Sequence, residues 1–200
     1  MANVLYIKAN AKPEGKSHTF MVSDAFVEEY KRKHPDDKII TLDLYKEGIG
    51  FLTGQDISMH RINPGEGRDH PVLKYAYQFR DADKYVIAEP LWNLGIPAIL
   101  KAYIDYVSVN GITFGYTENG PVGLCQAKKA INITARGGNY STGGFVDYEM
   151  GDRYLRTILG FLGVCDFQTL AVENLDVIGT DVEAAVTDAI QKAREIASSF

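Results

Sequence analysis

The sequence predicts an α/β protein built on a doubly wound, five-stranded parallel sheet with helices on both faces. Five short runs rich in β-branched and aromatic residues alternate with segments of helical periodicity, and nearly every residue in those runs is apolar. Strands of a parallel sheet have this composition because crossover helices cover both faces. With 200 residues, 46% of them hydrophobic, and no linker or repeat, the chain is expected to form one domain over residues 1–200.

The first half of the chain contains two predicted strands and a helix. Residues 4–9 read Val-Leu-Tyr-Ile-Lys-Ala and predict the first strand. Apolar side chains then recur at helical spacing from Val22 to Tyr30, and Pro35 ends this helix. Residues 38–44 predict the second strand, and residues 45–70 predict a long irregular segment.

The second half repeats the alternation. The predicted elements are a helix over 73–79, a strand over 85–89, a helix over 97–107, a strand over 130–135, a helix over 154–162 and a strand over 167–173. The last helix is expected to begin at Thr180, because Thr180 and Glu183 match a capping box ahead of a helical apolar stripe.

Composition excludes several classes of function. A net charge of −5 without a basic run argues against nucleic acid or an anionic membrane as the principal partner. Cys125 and Cys165 are too far apart to suggest a disulfide framework or a zinc site. The N-terminus lacks the pattern of a signal peptide, and no stretch approaches 18 apolar residues, so a cytoplasmic protein is expected.

The loop after the first strand predicts an anion site. Gly15-Lys16-Ser17 matches the end of a triphosphate-binding signature, but Asn10 stands where that signature needs its first glycine. Hydroxyls at a helix start, beside unpaired N–H groups, still favour a monophosphate. The alternative is that Ser17 or Thr19 merely caps the helix.

Two further loops follow strands at the same predicted edge, where doubly wound sheets bind ligands. The loop after the third strand exposes Trp92, which could form a wall for a flat ligand, although Trp92 could instead join the core while Asn93 caps the next helix. After the fourth strand, Arg136 offers a positive charge, and Gly137 and Gly138 allow close backbone approach. The alternative there is an ordinary turn with a surface arginine.

The chain also resembles a known family over nearly its whole length. The segments "GKSHT", "PLWNLGIPAILKAYID", "GITFGYTENGPVGL", "AINITARGG" and "LGFLGV" are similar, in order and spacing, to the FMN-dependent NADH azoreductases and quinone reductases. This resemblance implies a flavodoxin-like fold with strand order 2-1-3-4-5. It also implies a homodimer with one FMN per subunit at the interface, reduced by NADH or NADPH and reoxidised by quinones or azo compounds.

The resemblance also implies roles for individual residues. It implies that Asn10, Ser17, His18 and Thr19 form the loop that binds the FMN phosphate, and that the isoalloxazine lies against Leu91, Trp92, Asn93 and Leu94. The pyrimidine edge of the flavin is implied to contact Ala135, Arg136, Gly137 and Gly138. The mouth of the substrate site is implied to be lined by Arg61, Tyr116 and Phe161. Asn10 and Ala135 stand where relatives often carry hydroxyl residues. Leu94 replaces a common phenylalanine, which is expected to change acceptor preference.

Other features are expected to be structural. His60 and His70 have no acidic partner at catalytic spacing, and Asp147, Glu149 and Asp152 are interpreted as a solvated helix start, so no metal site is predicted. Tyr103, Tyr106, Phe114 and Tyr116 form more aromatic surface than one monomer needs to bury, which suggests a subunit contact.

Three functions from different classes fit this pattern. The preferred one is a two-electron flavoenzyme with a ping-pong cycle and protons from solvent. A flavodoxin-type electron carrier is disfavoured because a minimal carrier needs neither the 45–70 insertion nor the 111–123 segment. A flavin-free receiver-type domain is disfavoured because the first strand ends in Lys8-Ala-Asn10, where such a domain has acidic residues.

Overall fold

The computed structural model describes residues 1–13, 15–60 and 65–200. In chain order its elements are β1 (Asn3–Lys8), α1 (His18–Lys33), β2 (Lys38–Asp43), α2 (Gly54–Met59), α3 (Lys74–Asp81), β3 (Lys84–Pro90), α4 (Ala98–Val107), β4 (Phe114–Thr117), β5 (Gly120–Gly123), β6 (Lys129–Ala135), a 3₁₀ turn (Gly143–Tyr148), α5 (Gly151–Phe161), β7 (Asp166–Val172) and α6 (Val182–Ala197).

Five of these strands form one parallel sheet in the order β2-β1-β3-β6-β7. Counting only the strands of this sheet, the order is the 2-1-3-4-5 implied by the family resemblance, and the flavodoxin-like fold class is confirmed. All five strands lie within one residue of their predicted bounds. Because the strands are parallel, their carboxyl ends meet at one edge, and the loops that follow them converge there.

The sheet is covered on both faces by apolar layers. On one face, Leu5, Ile7, Tyr85 and Ile87 pack with side chains of α3, α4 and α5. On the other face, alternate residues of the same strands pack with α1 and α6. This alternation is the period of two that the pleat imposes, and it explains why the strands are apolar throughout.

Three local predictions are corrected. Within residues 45–70, the described part contains helix α2, which no apolar stripe predicts because all of its residues stay at least partly exposed. The α6 cap is Asp181, whose carboxylate accepts from Ala184 N at 3.0 Å, so Thr180 lies one residue before the cap. Tyr103 is fully buried against Tyr75 and Phe79, and therefore cannot contribute to a subunit contact.

Strands β4 and β5 form an antiparallel hairpin within the 111–123 segment. It packs backbone to backbone against the end of α5, because a Cβ on Gly123 would lie 2.2 Å from Gly163 N. This close approach places the ring centroids of Phe114 and Phe161 5.0 Å apart.

Candidate functional site

A cleft opens at the carboxyl edge of the sheet, where the loops after β1, β3, β6 and β7 meet. Its lining residues are Asn10, Lys12, His18, Thr19, Pro90, Leu91, Trp92, Ala135, Arg136, Gly137, Leu175 and Asp176. Eight of these belong to the residues predicted from the sequence. Ser17, Asn93, Leu94 and Gly138 lie in the same loops but do not line this cleft.

The loop after β1 is held in place by two polar side chains. Asn10 Nδ2 donates to Ser17 Oγ at 2.8 Å, and Asn10 Oδ1 accepts from Lys12 N at 3.0 Å. Ser17 Oγ also accepts from Phe20 N at 3.2 Å, which makes Ser17 the N-cap of α1. Asn10 thus organises the loop through its amide, and Ser17 has the capping role considered as the alternative for it.

Thr19 has a different environment from Ser17. Its side chain is 1% exposed and lines the cleft, yet Thr19 Oγ1 is buried without a hydrogen-bond partner among the described residues. Buried hydroxyls are normally paired, so this one indicates a partner outside the described residues. The side chains of Lys12 and His18, the latter at the start of α1, line the same cleft, and a helix N-terminus is an environment that favours anions.

The loop after β3 contains a strained turn. Trp92 N donates to Gly95 O at 2.9 Å and Gly95 N to Trp92 O at 3.0 Å, while Asn93 and Leu94 between them have φ of 50° and 69°. Two successive positive φ values define a type I′ turn, and a leucine in this conformation is rare. Such strain is concentrated at functional sites.

This turn decides between the alternatives for its residues. Trp92 is 36% exposed and lines the cleft, so it does not belong to the core. Asn93 does not cap α4, since Pro97 occupies the N-cap position and no side chain caps that helix.

In the loop after β6, the backbone carbonyls are hydrogen-bonded but the N–H groups of the two glycines are not bonded to any described residue. The carbonyls of Arg136, Gly137 and Gly138 accept from Leu175 N, Asp176 N and Asn174 N respectively, at 2.9 to 3.2 Å. No hydrogen bond between described residues uses the N–H groups of Gly137 or Gly138. The loop after β7 therefore occupies the acceptors of this turn and leaves its donors available.

The Arg136 side chain is buried against two carboxylates of the protein. It is 3% exposed, and its guanidinium lies 3.3 Å from Glu149 Oε1 and 3.2 Å from Glu173 Oε1. Its charge is therefore already neutralised, which differs both from the predicted free positive charge and from a surface arginine. What residue 136 offers to the cleft is its backbone position.

The acidic residues before α5 are only partly solvated. Asp147 is exposed, as predicted, but Glu149 is buried and accepts from Asp152 N at 2.8 Å and Arg153 N at 3.2 Å. Asp152 accepts from Thr169 Oγ1 at 2.6 Å and from Asn132 Nδ2 at 3.3 Å. The solvated helix start is thus wrong for Glu149 and Asp152, which connect α5 to the sheet.

The predicted substrate residues lie apart from the cleft. Tyr116 is 71% exposed on the hairpin, Phe161 is partly exposed at the end of α5, and Phe114 contacts both rings. None of these residues lines the cleft. Arg61 lies outside the described residues.

Sequence reasoning missed Lys12, Pro90, Leu175 and Asp176 as cleft residues. Lys12 and Pro90 were recognisable, because both belong to loops already assigned to the site. Leu175 and Asp176 follow β7, the edge strand, and only the pairing of their N–H groups with residues 136 and 137 brings them in.

Neither a cluster of metal ligands nor a membrane-spanning helix occurs in the part of the chain that the structure describes. No group of three or more histidine, cysteine or carboxylate side chains is arranged to hold a metal ion there. Nor does any helix in those residues have the length and apolar character needed to span a bilayer.

Comparison with known proteins places this chain in a family. Residues 2–197 match a family model described as a flavodoxin-like fold. The chain is 66% identical over 200 residues to FMN-dependent NADH:quinone oxidoreductase 2 of Clostridium acetobutylicum, covering 100% of both proteins. An azoreductase structure from Bacillus anthracis is 36% identical with a TM-score of 0.88, and 100% of both chains is covered.

A second structure from Bacillus anthracis, an FMN-dependent NADH-azoreductase in complex with FMN, is 28% identical with a TM-score of 0.86. That match covers 100% of this chain and 99% of the other. Identity of 66% over the whole length to one relative, together with the family match over residues 2–197, means that the chain belongs to the FMN-dependent NADH:quinone oxidoreductase family of flavodoxin-like proteins.

Proposed function

We propose that this protein is an FMN-dependent oxidoreductase that transfers two electrons from NADH or NADPH to quinones and azo compounds. The observation that carries the proposal is the cleft itself. Its lining includes a buried hydroxyl, Thr19 Oγ1, that has no partner among the described residues and lies in the first turn of α1, and it includes the exposed Trp92 together with Gly137, whose N–H group makes no hydrogen bond to a described residue. A flavin mononucleotide needs both features, a phosphate site and a flat apolar wall with donors at its edge.

The residues of the cleft divide this task. We propose that Thr19, His18 and Lys12 bind the phosphate, with Asn10 and Ser17 holding their loop. The turn at residues 91–94 would support the isoalloxazine, and the N–H groups of Gly137 and Gly138 would meet its pyrimidine edge beside Ala135. Arg136 is assigned a supporting role, because its guanidinium joins the loops after β6 and β7 to residue 149.

FMN, when bound, supplies the chemistry, since a flavin accepts a hydride from a nicotinamide and returns two electrons to an acceptor. Hydride transfer requires the donor carbon about 3–3.5 Å from its acceptor atom, so the nicotinamide must stack on an open face. If residues 91–94 cover the other face, the nucleotide and the quinone compete for the same place. The expected kinetic mechanism is therefore ping-pong.

We further propose that the protein acts as a homodimer. The hairpin with its following residue, the end of α5 and the turn after β3 expose apolar side chains, namely Tyr116, Val122, Leu124, Phe161, Trp92 and Leu94. Exposed apolar surface of this kind is typical of protein interfaces. Because Tyr116 and Phe161 are absent from the cleft of their own chain, they would line the substrate mouth of the opposite subunit.

The remaining assignments follow from the same observations. The continuous sheet supports a single domain over residues 1–200, and the thiols of Cys125 and Cys165 suit a reducing cytoplasm. The acidic net charge of −5 supports small-molecule partners over nucleic acid or membranes. An electron carrier is the second candidate, but the relatives matched over their full length carry reductase names.

The decisive experiment combines spectroscopy with steady-state kinetics. The purified protein should show the visible absorption of bound flavin and should oxidise NADH in the presence of a quinone. Initial rates against NADH at several fixed quinone concentrations should give parallel double-reciprocal lines. Flavin binding without quinone turnover would favour the carrier, and intersecting lines would show that donor and acceptor occupy separate places.

A further inference from the structure

A buried polar cluster lies directly beneath the cleft, on the face of the sheet covered by α4 and α5. Toward the carboxyl end of β3 and β6, the apolar side chains of this face give way to Glu89, Asn132, Thr134 and Arg136, which we call the Glu89 cluster. Each of these side chains is at most 3% exposed, and the strand register sets Glu89 opposite Thr134. An ionisable acid in such a place is costly unless it is fully paired.

Several polar atoms of the Glu89 cluster have no hydrogen-bond partner among the described residues. Asn132 Nδ2 donates to Glu89 Oε1 at 3.2 Å. Among the described residues, Glu89 Oε2, Asn132 Oδ1 and Thr134 Oγ1 are buried without a partner. Of these three atoms only the Thr134 hydroxyl can donate, so it can serve the carboxyl oxygen of Glu89 or the amide oxygen of Asn132, but not both. A proton on Glu89 Oε2 supplies the second donor, so that a neutral acid allows all three atoms to pair within the cluster.

A fourth unpartnered atom belongs to the same cluster and favours the opposite state. Arg136 Nε is buried and makes no hydrogen bond within the described residues, while the two Nη atoms hold Glu149 and Glu173. A carboxylate at Glu89 would attract this donor. The cluster can thus satisfy its atoms in two ways, with Glu89 neutral toward β6 or with Glu89 ionised toward Arg136.

Burial favours the neutral state. Arg136 already faces Glu149 and Glu173, and Asp152 on α5 is held by Thr169 and by Arg156, which lies 3.3 Å away. An ionised Glu89 would add another negative charge to this region. Burial raises the pKa of Glu89 to about 7, against the opposing effects of the Asn132 and Thr134 side chains and of the Arg136 charge.

We propose that Glu89 is a pH-dependent positioning residue for the flavin-binding turn at residues 136–138. With Glu89 neutral, Arg136 stays on Glu149 and Glu173, and the N–H groups of the turn face the cleft. With Glu89 ionised, Arg136 is drawn toward it and the turn shifts, so that FMN affinity falls. This inference rests on the proposed flavin site, and two separate experiments test its two parts.

The first experiment uses the apoprotein and does not depend on FMN. The variant Glu89→Gln keeps a donor for the cluster but cannot ionise, and Glu28→Gln, on the exposed side of α1, is the matched control. A proton held only in the folded state makes stability fall as pH rises from about 4.5 to about 7. Denaturant unfolding should show the wild type and the control losing stability relative to Glu89→Gln, by roughly two orders of magnitude in the unfolding constant.

Infrared spectroscopy of the wild type provides a second measurement that does not need the variant to fold. A carbonyl band of a buried carboxylic acid should be present at about pH 5.5 and lost by about pH 9. Absence of the band at the lower pH, or parallel stability curves for Glu89→Gln and the control, would show that Glu89 is ionised throughout and would overturn the proposal.

The second experiment measures FMN affinity across the same pH range. The FMN phosphate itself titrates near about pH 6 in every variant, so the diagnostic is the difference between variants. Wild type and Glu28→Gln should lose several-fold affinity through the Glu89 transition, and Glu89→Gln should lack that component. Identical profiles for all three would refute the positioning role, whereas failure of all three to bind FMN would refute the proposed flavin site.

Discussion

Arg136 Nη1 lies 3.2 Å from Glu173 Oε1, and this same carboxylate oxygen accepts from Tyr140 N at 2.9 Å. The pair therefore joins the end of β7 to the loop after β6, and the second contact of Arg136, with Glu149, extends the connection to the start of α5. Met150 N, next along the chain, donates to Leu94 O at 2.9 Å. One buried guanidinium thus connects the loops on both sides of the cleft.

Replacement of Arg136 by methionine should destabilise the apoprotein strongly. The change leaves Glu149 and Glu173 without their shared cation, and breaking a buried ion pair from one side costs about 3–5 kcal/mol. Denaturant unfolding measures the effect. Arg153→Met is the control, because Arg153 is half-exposed with its nearest carboxylate 3.9 Å away, and it should lose at most about 1 kcal/mol. Equal losses of unfolding free energy in the two variants would show that the buried ion pairs of Arg136 do not stabilise the fold.

Replacement of Thr19 by valine should separate cofactor binding from folding. Valine keeps the shape and removes a buried hydroxyl that has no partner among the described residues, so apoprotein stability should be unchanged or higher. Loss of a hydrogen bond to a charged phosphate, worth about 1.5–3 kcal/mol, should raise the Kd for FMN by about one to two orders of magnitude.

Ser17→Ala provides the contrast in the same loop. It removes the N-cap of α1 and the acceptor for Asn10, and should cost the apoprotein about 1 kcal/mol. If Thr19→Val binds FMN as tightly as the wild type, the hydroxyl does not face the phosphate.

Replacement of Gly123 by alanine should displace the β4-β5 hairpin. The added Cβ would lie 2.2 Å from Gly163 N and from Leu162 C, and backbone atoms cannot move aside as a side-chain end can. We expect a lower melting temperature and weaker quinone reduction with FMN still bound, because the cleft contains no hairpin residue. Gly115→Ala is the control within the hairpin, since its Cβ would make an ordinary contact with Leu124 at 3.5 Å. Similar melting temperatures for both variants would contradict the packing described for Gly123.

Replacement of Tyr116 by glutamate should weaken the proposed dimer without harming the fold. The side chain is 71% exposed, so the monomer loses little, whereas a charge in an apolar interface is unfavourable. Sedimentation at several concentrations should show a dimer dissociation constant at least about tenfold higher. Ile178→Glu, at a fully exposed position before α6, should sediment like the wild type. A wild-type protein that is monomeric, active and loaded with FMN would exclude the dimer.

The architecture could be predicted from the sequence, because strand and helix periodicity are local properties that burial on both faces of a sheet imposes on each segment. The sequence also located three of the four loops of the cleft, since parallel strands leave no choice about where their carboxyl ends meet. Elements without an apolar stripe, such as α2, could not be found in this way. A pattern of side-chain types also cannot locate the start of a helix to a single residue, so the cap of α6 was expected at Thr180 but lies at Asp181.

Where the polar side chains point depends on the tertiary structure. Arg136, Glu149 and Asp152 are residue types usually found at the surface, yet each is turned inward by partners distant in the sequence. Glu89 is the clearest case. Its place at the end of β3 follows from the sequence, but its burial opposite Thr134 and beside Arg136 depends on the pairing of β3 with β6. Ionisation depends on the charges and water around a group, and only the assembled sheet determines which groups those are.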